Sequence, residues 1–180
     1  IKNKASGILD DNGKLIRMFG AHQDITEMKE KELELNKLLQ AVHQSPTPVV
    51  ITSIEGIIEF VNPVFTLVTG YDKTEVVGQN ARIMASGQLK KRDYQNLWDT
   101  ILSGKTWKGE FINKKKNGVI YWELASISPI LDENGEIRNF VKICEDITHI
   151  KKMEKELKKA KDKAEAANIH KNNFLANISH

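Results

Sequence analysis

The sequence predicts an α+β chain. It has a five-stranded antiparallel sheet with short helices on one face, an amphipathic helix before it, and a helix with coiled-coil spacing after it. Three observations predict this. From Val49 to Glu145, short β-rich runs are separated by Gly-containing turn signals. From Thr148 onward, apolar residues recur at steps of three and four. Finally, the chain repeats part of itself. Ser6-Gly-Ile-Leu-Asp-Asp-Asn-Gly13 reappears as Ser128-Pro-Ile-Leu-Asp-Glu-Asn-Gly135, and Asp24-Ile25-Thr26 reappears at the same offset as Asp146-Ile147-Thr148.

Composition sets the frame. At 40% hydrophobic and 28% charged, the 180 residues make an ordinary globular chain with room for one domain and extensions. The net charge of +3 has a local source: Lys151 to Lys163 carries seven lysines against three acidic residues. No aromatic residues are interleaved with them, so this run reads as a solvated helix face, and no nucleic-acid partner is expected. Cys144 is the single cysteine, which leaves no internal disulfide and fits a reducing compartment. No apolar run is long enough for a membrane span, so the expected location is cytoplasmic, with any anchor elsewhere in a parent protein.

In chain order, each copy of the repeat reads strand, Asn-Gly turn, strand, charged helix. Residues 1–25 are therefore read as the closing hairpin of a preceding domain of the same type, poorly ordered unless it pairs elsewhere. Asp24 with Glu27 forms a capping box that opens a helix over 26–44, with Met28, Leu35, Leu38 and Val42 on one stripe. Pro46 and Pro48 end it. The main domain spans 45–148. Val49–Thr52 and Ile57–Val61 read as a hairpin, and Asn62-Pro63 opens a short helix that Gly70 closes. Asp72 to Glu75 is a second capping box. Gly78 to Gly87 reads as irregular, anchored by Ile83 and Met84. A helix over about Lys90–Leu102 puts Tyr94, Leu97, Trp98 and Ile101 on one face, with Gly104 as its stop. Three strands follow: Trp107–Lys114, Val119–Ile130 and Ile137–Glu145.

Residues 149–180 continue as one helix. Ile150, Met153, Leu157, Ala160, Ala164, Ala167, Phe174 and Ile178 form an a/d seam, interrupted at Lys171. This predicts a homodimer through a two-stranded coiled coil. The three alanines make the seam shallow, which suits an element with two competing packings. His180 lies two residues past Ile178, off the seam.

Two family resemblances rest on these residues. Asn62-Pro63-x-Phe65-x-x-x-Thr69-Gly70-Tyr71, Gly78-Gln79-Asn80, Trp107-x-Gly109-Glu110, Lys115-Lys116-Asn117-Gly118, Tyr121-Trp122 and Asp146-Ile147-Thr148 together resemble a PAS sensor domain. The resemblance implies the PAS fold, a cavity between sheet and helices, and an Asp146 that caps the outgoing helix. Phe174-Leu-Ala-Asn-Ile-Ser-His180 resembles the first half of the H-box of sensor histidine kinases. That implies His180 is the phospho-acceptor, fed by an ATP-binding kinase domain in the parent chain and read by a response regulator. Without the resemblance, His180 is a surface histidine at a helix end. An acidic residue and then Thr-Pro after His180 would support the kinase, whereas an unbroken heptad would favour another output. Nothing in the chain resembles a nucleotide-binding domain, so the chain alone is expected to be inactive.

The cavity's contents stay open between a flavin, a small organic ligand and a packed core. Haem is disfavoured because none of His22, His43, His149, His170 or His180 falls on a helix lining the cavity; Cys144 is the only soft candidate ligand. Gly78-Gln-Asn-Ala-Arg82 resembles the light-oxygen-voltage motif with Ala81 in the place of its reactive cysteine, which excludes covalent flavin photochemistry. Non-covalent flavin-adenine dinucleotide remains: Asn113 toward the ring edge, Trp107 stacked on it, Arg82 toward phosphate, and Glu123 where light sensors carry an amide. Core packing explains the aromatics equally well. The overall reading is a sensor module of a two-component histidine kinase. The alternative is a PAS ligand-binding or dimerisation module, including redox or light sensing, that feeds a non-kinase coiled-coil output.

Overall fold

The computed structural model describes residues 2–23 and 26–178, with side chains from 7 to 17 and 26 to 169. Asp24, one half of the first capping box, lies outside the described residues, as do Ser179 and His180. The chain divides into two compact units, residues 1–44 and 45–180. In the first, β1 (Lys2–Leu9) and β2 (Leu15–Gln23) form an antiparallel hairpin with a register shift at Ile8/Leu9. The Asp10 carboxylate accepts the N–H groups of Asn12 and Lys14 and so closes the turn. Helix α1 (Thr26–His43) buries none of its residues.

The second unit has the predicted sheet, in the order β4-β3-β7-β6-β5 and antiparallel throughout. Its strands are β3 (Val49–Ser53), β4 (Ile58–Val61), β5 (Trp107–Lys114), β6 (Ile120–Leu131) and β7 (Ile137–Asp146). The order leaves the first and last strands of the domain side by side at the centre, so the chain enters and leaves the sheet through neighbours. Period-2 alternation decides which face is covered: Tyr121, Glu123, Ala125 and Ile127 on β6 are buried.

Three helices lie between β4 and β5. α2 (Pro63–Thr69) starts at Asn62, whose Oδ1 accepts the N–H groups of Phe65 and Val49 while its Nδ2 donates to the Thr47 carbonyl. One buried amide thus caps the helix and ties it to the first strand. Gly70 closes α2 at φ 76°, a conformation that glycine adopts without the Cβ penalty. α3 (Lys73–Val76) has the predicted Asp72/Glu75 capping box. Where the sequence predicted irregular chain, Ala81–Met84 forms a 3-10 turn capped by Asn80, whose Oδ1 accepts the Arg82 N–H. Met84 is buried there, but Ile83 is 37% exposed, because a turn this short points only one of two adjacent side chains inward.

α4 (Lys91–Leu102) turns the predicted face inward: Leu97 and Ile101 are buried, and Tyr94 and Trp98 pack at the edge of the same cluster. That cluster joins α4 to the β5, β6 and β7 side of the sheet. A second, around Val50, Ile58, Phe65, Val76 and Met84, fills the β3–β4 side. α5 (Thr148–Ile178) leaves the sheet as one continuous helix. Its seam residues Ile150, Met153 and Leu157 are exposed, Leu157 by 73%.

Candidate functional site: an inner cavity and the root of the outgoing helix

Between the two core clusters lies a cavity of about 120 Å³. Most of its wall is apolar, with Leu97, Trp98, Ile101, Phe111, Ile127 and Phe140 among the lining residues. Its polar wall consists of Thr52, Asn80, Tyr94, Asn113, Arg82 and Lys142. Arg82, Ala85, Tyr94 and Trp98 also line an adjoining surface groove, so they mark the mouth.

The structure brings Arg82 and Asn113 of the sequence-predicted pocket residues to this cavity and places the other three elsewhere. The Trp107 indole folds back over Gly109, packs on Phe111 at 5.1 Å between ring centroids, and donates its Nε1–H to Asn96 Oδ1 at 3.1 Å. A Cβ on Gly109 would sit 2.4 Å from the Trp107 ring, which explains the Trp-x-Gly pairing: the ring needs that empty space. Glu123 is buried and forms an ion pair with Lys142. Its other oxygen accepts the Tyr121 hydroxyl at 3.2 Å. Cys144 is a buried free thiol near the Pro48 carbonyl, and burial pushes its pKa up to about 12. No group of residues that could hold a metal ion occurs among the described residues.

Sequence reasoning missed Lys142. On β7 it pairs across the sheet with Ile127 and Val50, both cavity-lining, so it shares their inward face. Its side chain is 14% exposed, its ammonium lies over the Phe111 ring at 5.0 Å, and its charge is held by Glu123. Burial lowers its proton affinity; Glu123 and the weaker influence of Cys144 and Tyr94 outweigh that, and the net shift is upward. The signal was present in the alternation: Lys142 is in phase with buried Phe140 and Cys144.

At the far end of β6 and β7 the sheet grips α5. Ile147 N–H donates to the Trp122 carbonyl, and Trp122 N–H donates to Thr148 Oγ1, both at 2.9 Å. Asp146 accepts the Thr148 N–H at 3.0 Å and pairs with Lys115 at 3.2 Å. One turn on, Lys151 pairs with Glu110 at 2.7 Å and lies over the Trp122 ring. Glu123 and Asp146 are directly opposed across the β6–β7 ladder, so the partner of cavity-lining Lys142 is the cross-strand neighbour of the helix cap. The β5–β6 turn has a second attachment: Lys116 N–H donates to the Thr69 carbonyl, and Lys116 Nζ pairs with Glu75 at 2.5 Å.

A small α+β sheet that encloses a cavity and is bonded through its last strand to a long helix defines a sensory domain. The chain belongs to the PAS domain family, whose model matches residues 46–149. Among curated relatives, it is 32% identical over 107 residues to the nitrogen fixation regulatory protein of Klebsiella oxytoca, covering 59% of this chain and 22% of that protein. It is 30% identical over 118 residues to the blue-light-activated histidine kinase of Brucella anthropi, covering 64% of this chain and 24% of that protein. The chain thus spans about a quarter of the length of these relatives. In fold it is similar to an RNA-binding light-oxygen-voltage receptor, at TM-score 0.67 and 17% identity over 89% of this chain and 43% of that one. It is also similar to the light-oxygen-voltage domain of the Erythrobacter litoralis EL346 blue-light activated histidine kinase, at TM-score 0.55 and 24% identity over 58% of this chain and 99% of that one. No helix among the described residues is long and apolar enough to cross a membrane.

Proposed function

We propose that the chain is the sensor and transmission module of a two-component histidine kinase, in which the state of the PAS domain sets how His180 is presented for phosphorylation. The observation that carries this reading is the root of α5. Its first turn completes hydrogen bonds of the central sheet through Trp122, Thr148 and Asp146, so a change in sheet packing reaches the helix by direct bonds. The exposed seam of Ile150, Met153 and Leu157 then joins a second copy of the helix, and a rotation or register shift in that coiled coil carries the state toward His180. Residues 1–25 would be the last hairpin of an upstream PAS domain and α1 its linker. The ATP-binding kinase domain lies in the parent chain, and a response regulator takes the phosphoryl group. In the transfer, neutral imidazole nitrogen of His180 attacks the γ-phosphorus of ATP; an N–P bond forms, the P–O bond to ADP breaks, and ADP leaves. Kinship with the Brucella anthropi kinase supports the assignment.

The test is phosphate incorporation in the full-length parent with γ-labelled ATP. Acid-labile, alkali-stable label that disappears in His180→Gln is the expected result. Label retained in His180→Gln, or none in the wild type, would overturn the assignment in favour of a PAS module feeding a non-kinase output.

A further inference from the structure

Lys151, in the first turn of α5, has two carboxylates within ion-pair reach, and they belong to different elements. Its Nζ lies 2.7 Å from Glu110 Oε1 on β5 and 3.8 Å from Glu154 Oε2 on α5 itself. The first contact is a charge-assisted hydrogen bond, and the second is about 1 Å too long to be one. The ammonium also lies over the Trp122 ring, 5.3 Å from its centroid. Trp122 is on β6 and Glu110 is on the edge strand beyond it, so Lys151 reaches from the helix across one strand to the next.

All three side chains are open to water: Lys151 is 28% exposed, Glu110 41% and Glu154 64%. Ion pairs at such exposure are weak and similar in strength, so neither carboxylate holds the cation for good. The Lys151 pKa is raised by its hydrogen bond to Glu110 and then by the charges of Glu110 and Glu154, over the opposing effect of desolvation. The side chain is therefore a cation beside either partner. We propose that Lys151 is a positioning residue of the output helix, held by Glu110 while the first turn of α5 is seated on the sheet and by Glu154 when that turn lifts or rotates away. The exchange costs little, because the ammonium meets one carboxylate as it leaves the other. Glu110 thus favours the seated state and Glu154 favours release: two residues of the same charge act on one lysine in opposite directions. This inference rests on the reading of α5 as the output element and names a contact that sets how much of it is seated.

The experiment is amide hydrogen exchange in the 180-residue chain, read by NMR at two positions. The Ile147 N–H, bonded to the Trp122 carbonyl, and the Trp122 N–H, bonded to Thr148 Oγ1, are protected while the root is seated. Glu110→Gln should speed exchange at both by about two- to fivefold, the range that one exposed ion pair supports. Glu154→Gln should slow it by up to about the same factor. The sign is decisive. A role confined to the helix, as the (i, i+3) partner of Lys151, predicts the reverse, because losing that pair weakens the first turns. Lys151→Met keeps an apolar stem near Trp122 and removes both pairs, so in that background Glu154→Gln should have no effect. Faster or unchanged exchange in Glu154→Gln, unchanged exchange in Glu110→Gln, or a Glu154→Gln effect that survives in Lys151→Met would overturn the proposal. No phosphoryl transfer enters the measurement, so failure here removes the two-position contact and leaves the phosphotransfer reading to the His180→Gln test.

Discussion

The hydroxyl of Thr148 accepts the backbone N–H of Trp122 at 2.9 Å, so the first residue of α5 completes the hydrogen bonding of a sheet strand. Thr148→Ala leaves that half-buried N–H without its acceptor, at an expected cost of about 1–3 kcal/mol. Thr148→Ser keeps the oxygen and should stay close to the wild type. Urea denaturation of the three proteins measures this, and coincident midpoints for Ala and wild type would show that the bond contributes nothing.

Asp146 gives the same junction a pH dependence. Partial burial disfavours its charge; the Thr148 hydroxyl and N–H and the Lys115 ammonium together outweigh that and hold its pKa below the ordinary 3.8. A folded-state pKa that is depressed stabilises above the unfolded value and is lost as pH falls through the folded one. The window is therefore below pH 3.8, and near neutrality the contribution is complete. Asp146→Asn should flatten the acid limb of a stability-against-pH curve below that value. An unchanged acid limb would remove Asp146 from the account.

Gly109→Ala drives a methyl group into the Trp107 indole, 2.4 Å from ring carbons. The ring is also held by its bond to Asn96 and its packing on Phe111, which restrict how far it can yield. A destabilisation of about 1–3 kcal/mol is expected, with a changed near-ultraviolet circular dichroism signal from tryptophan. A variant with wild-type stability and spectrum would mean that the Trp-x-Gly pairing has another cause.

Cys144 should be inert in the folded protein. Burial holds the thiol protonated, with its pKa near 12, and the thiolate is the reactive form. Reaction with a disulfide reagent at pH 8 should be slow in native buffer and fast in denaturant. Rapid native labelling would show that β7 opens.

The sheet, its turns and the order of the helices were legible in the sequence because they depend on local signals: alternation in Tyr121 to Ile127, Asn-Gly at 117–118, and Asn62-Pro63 ahead of α2. What was not legible depends on pairing across the fold. Alternation alone places Glu123 inward, but its partner is Lys142, nineteen positions on; in the β6–β7 register Glu123 faces Asp146 and Lys142 faces Ile127, so the two side chains meet diagonally on the inward face. Lys151 and Glu110 read as unrelated surface charges until α5 is anchored at Trp122. Trp107 looked like a stacking platform; the space above Gly109 decides where its ring lies. Cavity volume is a packing remainder, which no residue spacing encodes.

Lys115 and Lys116 share a peptide bond and hold different bodies. Lys115 holds Asp146 at the start of α5, while Lys116, through its N–H to Thr69 and its ammonium to Glu75, holds α2 and α3. The β5–β6 turn therefore ties two separate parts of the fold through adjacent residues. A displacement of α2 or α3 would act on Lys116 and, one residue away, on the contact at the start of α5. The two attachments thus stand or fall with one short turn, which the Lys115 and Gly118 backbone bonds close.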